Sequence, residues 1–298
     1  MNFKPKLVSI ILNCYNGEKF LNSALKSVKN QSYKNWELIF WDNRSKDNSK
    51  KILKSFKSKK FKYFLAKKHT TLYAARNLAL KKTSGEFISF IDADDTWEKN
   101  KLTKQIKLFK HKNIAVVYGN LWIKNEKNKK LKKFINYKVK SGYIYDDLIK
   151  KYNIGILTSI IKKKVLHESK IFFDSQYNII GDFDFFIRLS KKYEFGYISE
   201  PLSTYRIHEK NLSFVKKNLQ IQEFLNWLKR NKKNLSKNDF MVLQKKLINL
   251  QFNEISLTKS LLSKLRFFSK YWNSLYSLKN ILALFMPKFL LKKFVWFN

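Results

Sequence analysis

The first 92 residues alternate between short apolar runs and segments with helical spacing, and this rhythm constrains the fold more than any other feature. Leu7 to Leu12 (LVSIIL) is aliphatic at nearly every position, as in a strand buried on both faces. A polar loop, Asn13 to Gly17, comes next. Phe20, Leu21, Ala24, Leu25 and Val28 then recur at the spacing of one helix face. Glu37 to Trp41 (ELIFW) reads as a second strand. It ends in the turn-rich stretch Asp42 to Asp47, which would start a helix with Asp47 near its N-terminus. A third strand is expected near Phe61 to Leu65, then a helix from about Leu72 to Lys82 with Gly85 as its stop signal. Glu86 to Ile91 (EFISFI) is the fourth strand. This β-α-β-α-β-α-β order predicts an α/β fold: a Rossmann-like, mostly parallel sheet with helices on both faces.

Open sheets of this kind bind ligands at the carboxyl ends of their strands. The stretches Asn13-Cys14-Tyr15-Asn16, Asp42-Asn43-Arg44-Ser45 and Asp92-Ala93-Asp94-Asp95 should therefore meet in one crevice. The last is the most unusual. Three carboxylates within four positions repel one another unless a cation or a basic group neutralises them. A hard divalent ion such as Mg2+ or Mn2+ takes one or two carboxylates and completes its shell with substrate phosphates. In an extended segment Asp92 and Asp94 would point one way and Asp95 the other. The competing explanation is a helix N-cap, with Asp94 or Asp95 opening a helix after Thr96.

The rest of the chain is less regular. A strand is expected over Ile114 to Ile123, a loop with a strand in the Lys-rich stretch 124–140, and a helix near Asp146 to Lys151. A strand near Thr158 to Ile161, a helix over Phe183 to Lys191 and short strands over 195–207, interrupted by Pro201, complete this half. From about Lys216 the pattern is helical.

Charge raises a different possibility. Lys and Arg number 62 against 22 Asp and Glu, a formal charge of +40, and basic stripes attract nucleic-acid backbones. Here the lysines are spread along the whole chain, and no nucleic-acid motif accompanies them. No nucleic-acid partner is expected; the charge reads as a solvated basic surface attracted to anionic membranes. A phosphoryl- or nucleotidyl-transfer enzyme would want a Gly-rich phosphate loop, but no G-x-x-x-x-G-K-[ST] occurs and glycines number seven. Cys14 is the only cysteine, so an internal disulfide is impossible and a reducing compartment is expected. The apolar run at Leu7 is too short for a signal peptide, and no stretch of about 18 apolar residues suggests a membrane span.

Several segments, in order, resemble family-2 glycosyltransferases of the GT-A fold. Val8-Ser9-Ile10-Ile11 with Tyr15-Asn16-Gly17-Glu18 resembles the family's opening strand and loop. Asn30-Gln31-Ser32-Tyr33 before Trp36-Glu37-Leu38-Ile39 resembles the lead-in to its second strand, and Asp42 to Asp47 its base-recognition loop. Ala74-Ala75-Arg76-Asn77 and Gly85-Glu86-Phe87-Ile88 precede Asp92-Ala93-Asp94-Asp95, which is similar to its DXD site. Gly181-Asp182 and Tyr205-Arg206-Ile207-His208 follow, so the resemblance covers roughly residues 5 to 213.

The resemblance implies an inverting enzyme that uses a nucleotide-sugar donor, with uridine diphosphate favoured, and Mn2+ or Mg2+. It implies a glycan or lipid-linked acceptor and work on surface polysaccharide at the cytoplasmic face of a membrane. It divides the chain into a catalytic domain at 1–215 and a helical, basic and aromatic region at 216–298. Within the first, a nucleotide-binding half spans about 1–110 and an acceptor half about 111–215. Tyr15, Asp42 and Asn43 would meet the base, and Arg76 the base or diphosphate. Asp94 would lead in metal binding, with Asp92 and Asp95 supporting it or holding the ribose. Asp182 would be the base, while Arg206 and His208 would close over the diphosphate or metal.

Two departures stand out: Asp42-Asn43 where many members have two Asp, and Gly181-Asp182 where many have Glu-Asp. Each residue also has a plainer reading. Asp182 could cap a helix, Arg76 could be a solvated ion-pair former, Tyr15 could be core, and a lone His208 could be structural. Cys14 reads as a buried small residue and not a nucleophile. From Ile255 to Asn298 there are eight Lys or Arg, ten aromatics and no acid. Within that stretch Leu284 to Phe297, with Pro287 opening a helix, could lie in a membrane interface or pack back on the protein.

Overall fold

The structure, a computed structural model, describes residues 6–111, 113–275, 280, 281, 284 and 286. It divides into two compact units, 1–211 and 212–298.

The first unit begins as the sequence rhythm predicts. Strands β1 (Val8–Cys14), β2 (Trp36–Asp42), β3 (Phe61–Leu65) and β4 (Phe87–Asp92) lie in the order β3-β2-β1-β4, all parallel. Helices α1 (Glu18–Lys29), α2 (Ser49–Ser55) and α3 (Leu72–Leu80) connect them. Steps from β1 to β2 to β3 run one way and the step to β4 returns. Right-handed crossovers therefore put α1 and α2 on one face and α3 on the other. Side-chain alternation follows suit. Val8, Ile10, Leu12 and Cys14 join Leu21, Ala24, Leu25 and Val28 of α1 in one core cluster. Ser9, Ile11 and Asn13 point to the opposite face, where α3 packs on β1 and β2.

Gly85 has a different job from the stop signal expected of it. Helix α3 ends at Leu80, and a Cβ on Gly85 would sit 2.6 Å from the Leu7 carbonyl oxygen and 2.7 Å from the Ser9 nitrogen. Glycine is needed there because the start of β4 runs against the backbone of β1.

Beyond β4 the sheet becomes mixed. Strand β5 (Thr96–Trp97) and helix α4 (Lys101–Leu108) come first, followed by β6 (Ile114–Asn125) and its hairpin partner β7 (Leu131–Lys133). Helix α5 (Tyr145–Lys150), a 3-10 turn at Ile156–Thr158, β8 (Ile160–Lys162), α6 (Lys163–Ser169), α7 (Gly181–Ser190) and β9 (Glu194–Ile207) complete the unit. Short β8 joins β4 to β6, β6 pairs parallel with β9, and β5 closes the far edge against β9. The short strands expected over 195–207 are thus a single long one. Pro201 does not break it because the register slips there: Ile198 faces Gly119, but Pro201 faces Asn120, so Ser199 and Glu200 bulge out. A bulge is where a missing N–H is tolerated.

The second unit is helical: α8 (Leu212–Val215), α9 (Lys217–Asn231), α10 (Lys237–Thr258), α11 (Leu261–Lys270) and α12 (Trp272–Leu275). Ser236 and Ser260 cap α10 and α11, accepting from the amides of Asp239 and Ser263. Ile248, Phe252, Phe268, Leu275 and Leu284 form its small core. Among the described residues no helix is long and apolar enough to cross a membrane. The helix expected from Pro287 lies outside the described residues.

Candidate functional site

The loops after β1 and β2 are laced together at the carboxyl edge of the sheet. Asn16 N donates to Ser45 Oγ (3.0 Å), Gly17 N to Ser49 Oγ (3.0 Å) and Lys46 N to Asn16 Oδ1 (2.8 Å). Asp47 serves the first amides of two helices at once: Oδ1 accepts from Ser49 N at the start of α2, and Oδ2 from Glu18 N at the start of α1. Cys14 lies beneath, buried, and burial pushes its thiol up to about 11, so it is no nucleophile.

Tyr15 is not core. It is 51% exposed, and its ring centroid lies 4.3 Å from that of His69. His69 Nδ1 in turn meets the Asn43 carbonyl at 2.9 Å. Asp42 and Asn43 sit behind this aromatic pair, both buried and both committed to protein partners. Asp42 accepts from Ser45 N (2.7 Å) and the Tyr63 hydroxyl (2.9 Å). The Asn43 amide spans the Thr70 backbone, donating to its carbonyl (2.9 Å) and accepting from its N–H (3.2 Å).

The acidic cluster is a turn and not an extended segment: Asp95 N donates to Asp92 O (3.2 Å). The alternation expected of an extended run does not apply. The capping explanation also falls, because β5 follows and the next helix, α4, is preceded by Asn100. Each carboxylate has a separate setting. Asp92 Oδ1 accepts from Arg76 at 2.7 Å, and Arg76 is 2% exposed, so it is not a solvated ion-pair former. Asp94 Oδ2 meets His208 Nε2 at 2.9 Å and Asn211 Nδ2 at 3.3 Å. Asp95 is fully buried; Oδ1 accepts from Arg206 N (3.0 Å), while Oδ2 is buried with no partner. Burial first, then Asp94 and Asp92, drive its carboxyl well above the usual range.

Arg206, expected to close over the diphosphate or metal, is buried under this turn. Nε donates to the Asp94 carbonyl (2.8 Å), one terminal nitrogen to Glu126 Oε1 (2.5 Å) and the other to Ser23 Oγ (3.3 Å). Its guanidinium lies 4.7 Å from the Phe20 ring. Asn211 was not singled out by the sequence. It accepts from His208 N and donates to Asp94, so one side chain holds both. The His-x-x-Asn spacing after β9 was the available signal.

Asp182 lies in the first turn of α7. The N-cap position is Ile180, so Asp182 is not the cap. Its Oδ1 accepts from Phe183 N (2.8 Å) and from the Tyr73 hydroxyl (3.2 Å). Burial raises its pKa, and Arg76 opposes the rise. The segment before it is pinned to α3: Thr71 Oγ1 donates to Ser175 O (2.7 Å), and the Asn77 amide bonds Phe173 O (2.8 Å) and Phe173 N (3.2 Å). This long-range clasp brings Asp182 to the same electrostatic neighbourhood as Arg76 and Asp92.

A hard cation suits the acidic turn in part. The Asp94 side chain is 29% exposed, and one carboxyl oxygen of Asp95 is buried with no hydrogen-bond partner. Among the described residues, however, no group of three or more His, Cys, Asp or Glu side chains could hold an ion unaided. Substrate oxygens would have to complete the shell.

The Glycosyl transferase family 2 model matches residues 9–187. The Escherichia coli protein WfgD, UDP-Glc:alpha-D-GlcNAc-diphosphoundecaprenol beta-1,3-glucosyltransferase, is 37% identical over 161 residues, 54% of this chain. The match spans 62% of WfgD's own length. The crystal structure of S. aureus TarS 1-349 with UDP-GlcNAc covers 93% of this chain and 81% of its own, with a TM-score of 0.63 and 18% identity. The mannosyltransferase PcManGT of Pyrobaculum calidifontis, solved with GDP-Man and Mn2+, covers 97% and 88%, with a TM-score of 0.60 and 13% identity. At these identities the two structures show a shared GT-A fold.

Proposed function

The chain belongs to glycosyltransferase family 2, and on that premise we propose that it is an inverting glycosyltransferase of surface-polysaccharide synthesis. It moves a sugar from a nucleotide-sugar donor, with uridine diphosphate favoured, to a hydroxyl of a glycan or lipid-linked glycan. One observation carries the reading: near the Arg76–Asp92 pair stand two unlike carboxyl groups. Asp182 is enclosed, with its pKa raised by burial. Asp94 is partly open and bonded to His208.

The two settings suit the two ends of one displacement. The acceptor hydroxyl attacks the anomeric carbon as Asp182 takes its proton, and the sugar–phosphate bond breaks with its electrons passing to the diphosphate. A base in an enclosed site is strengthened by burial, while the Arg76 charge favours its ionised form. Tyr15, backed by His69, offers an aromatic surface to the base. Asp42, Asn43 and Arg206 support the site from behind through their protein contacts. Arg76 orients Asp92, the candidate ribose ligand.

Mn2+ or Mg2+, when bound, would offset the charge that grows on the departing diphosphate. Asp94 and His208 would hold it, with Asp95 beneath. The Mn2+ found with PcManGT favours this assignment. The diphosphoundecaprenol-linked acceptor named for WfgD favours a lipid-linked acceptor here. Peripheral contact with an anionic cytoplasmic membrane face fits the second unit. There Leu261, Leu262 and Leu265 of α11 are exposed beside Arg266 and Lys270.

Thermal stability with UDP-, GDP-, CDP- and dTDP-sugars, with and without Mn2+ or Mg2+, tests the reading in wild type and Asp94→Ala. A rise of several degrees that needs both the metal and Asp94 is expected. Stabilisation by duplex DNA and by no nucleotide sugar would replace it with the nucleic-acid alternative.

A further inference from the structure

Position 181 has no room for a side chain. A Cβ there would lie 2.4–2.6 Å from three ring atoms of Tyr73, all of them aromatic carbons. Gly181 is not in the left-handed region, so space and not backbone freedom explains it. The occupant of that space is well fixed. Tyr73 is 3% exposed, its ring centroid lies 5.4 Å from that of Phe173, and the Arg76 guanidinium lies 5.0 Å from its centre.

The seat aims a hydroxyl at the candidate base. Tyr73 OH lies 3.2 Å from Asp182 Oδ1 and 3.3 Å from the Ile179 carbonyl oxygen. A phenol has one proton, so it can serve only one of these acceptors at a time. A charged carboxylate outcompetes a neutral carbonyl for it. Once the carboxyl is protonated, that advantage is gone and the carbonyl is within reach. A second phenol stands by: the Tyr152 hydroxyl is buried, lacks a partner of good geometry, and feels the charge of Asp182.

We propose that Tyr73, seated in the space left by Gly181, is a positioning residue for Asp182. Its hydroxyl donates to the carboxylate before transfer and turns to the Ile179 carbonyl as the carboxyl takes the acceptor's proton. The acceptor's proton ends on Asp182, and Tyr73 keeps its own throughout. This rests on the reading of Asp182 as the base.

The test uses the full chain with 13Cγ-labelled aspartate, free of nucleotide. The Asp182 carboxyl signal, identified by its loss in Asp182→Asn, is titrated in wild type and in Tyr73→Phe, which keeps the ring in its seat. Losing a donor to the charged form should move the Asp182 midpoint up by about one pH unit. Gly181→Ala, which displaces the ring, should move it the same way. An unchanged midpoint in Tyr73→Phe would overturn the inference, even if Asp182→Asn abolishes UDP release from UDP-glucose and UDP-N-acetylglucosamine. Retained UDP release by Asp182→Asn would instead remove Asp182 as base, and the positioning role with it.

Discussion

Lys101 Nζ lies 4.0 Å from the centre of the Trp97 ring, and both side chains are buried. Its hydrogen-bond partner is Ser89 Oγ at 3.2 Å, and among the described residues no carboxylate pairs with it. Burial pushes its pKa well below 10.5. The unfolded chain therefore binds more protons than the folded one below that value, and stability rises with pH through the window between the folded and ordinary pKa. Lys101→Met should raise stability near neutral pH by about 1–3 kcal/mol. It should also flatten the rise. Urea midpoints measured from pH 7 to pH 10 decide this; a destabilised variant with an unchanged slope would refute it.

Glu37 shows the opposite sign. It is buried at the amino end of β2, where burial alone would raise its pKa. Lys62, Ser9 and the amide and hydroxyl of Ser84 reverse this and hold it at about 2. Its contribution is complete above the ordinary value of 4.5 and is lost as pH falls toward about 2. Glu37→Gln should cost about 1–3 kcal/mol at pH 7, as for a hydrogen-bonded buried charge. The difference from wild type should shrink at pH 3, as read by chemical denaturation.

Asn211→Ala should act on ligand binding more than on folding. It frees both Asp94 and the turn that presents His208. Loss of such an outer support typically lowers metal affinity about 10- to 100-fold. Calorimetric titration of UDP with Mn2+ should show a loss of that order, while UDP binding without metal changes little.

Tyr15→Ala removes the exposed half of the Tyr15–His69 pair. Nucleotide affinity should fall about 3- to 10-fold, the worth of one aromatic contact. Tyr15→Phe should retain it. A loss in the phenylalanine variant equal to that in the alanine one would point to the hydroxyl and not the ring.

The first sheet was legible because β1 and β4 are buried on both faces and so read as apolar runs broken only by Ser9 and Ser89 in their middles. Motif order pointed to Asp182, Asp94 and His208, and the structure sets Asp94 against His208. Other features rest on contacts that spacing does not encode. Strand β5 has two residues, too few for any period. Helix α4 buries Lys101 and Gln105, residues that normally mark a solvent face. Arg206 follows the motif in sequence, yet its guanidinium direction is set by Glu126, 80 positions away. His69 sits in a loop and is marked only by its contact with Tyr15.

The bulged pairing of β9 with β6 also sets what length this chain can have. Past Pro201 the register slips once more, with Asn120 facing Pro201 and Trp122 facing Thr204. An odd slip exchanges the two faces of a strand. A one-residue deletion or insertion between Ile198 and Thr204 would therefore turn Arg206 away from Asp95 and carry His208 off Asp94. Longer loops can be spliced elsewhere at little cost, but this stretch tolerates a change of sequence far better than a change of count.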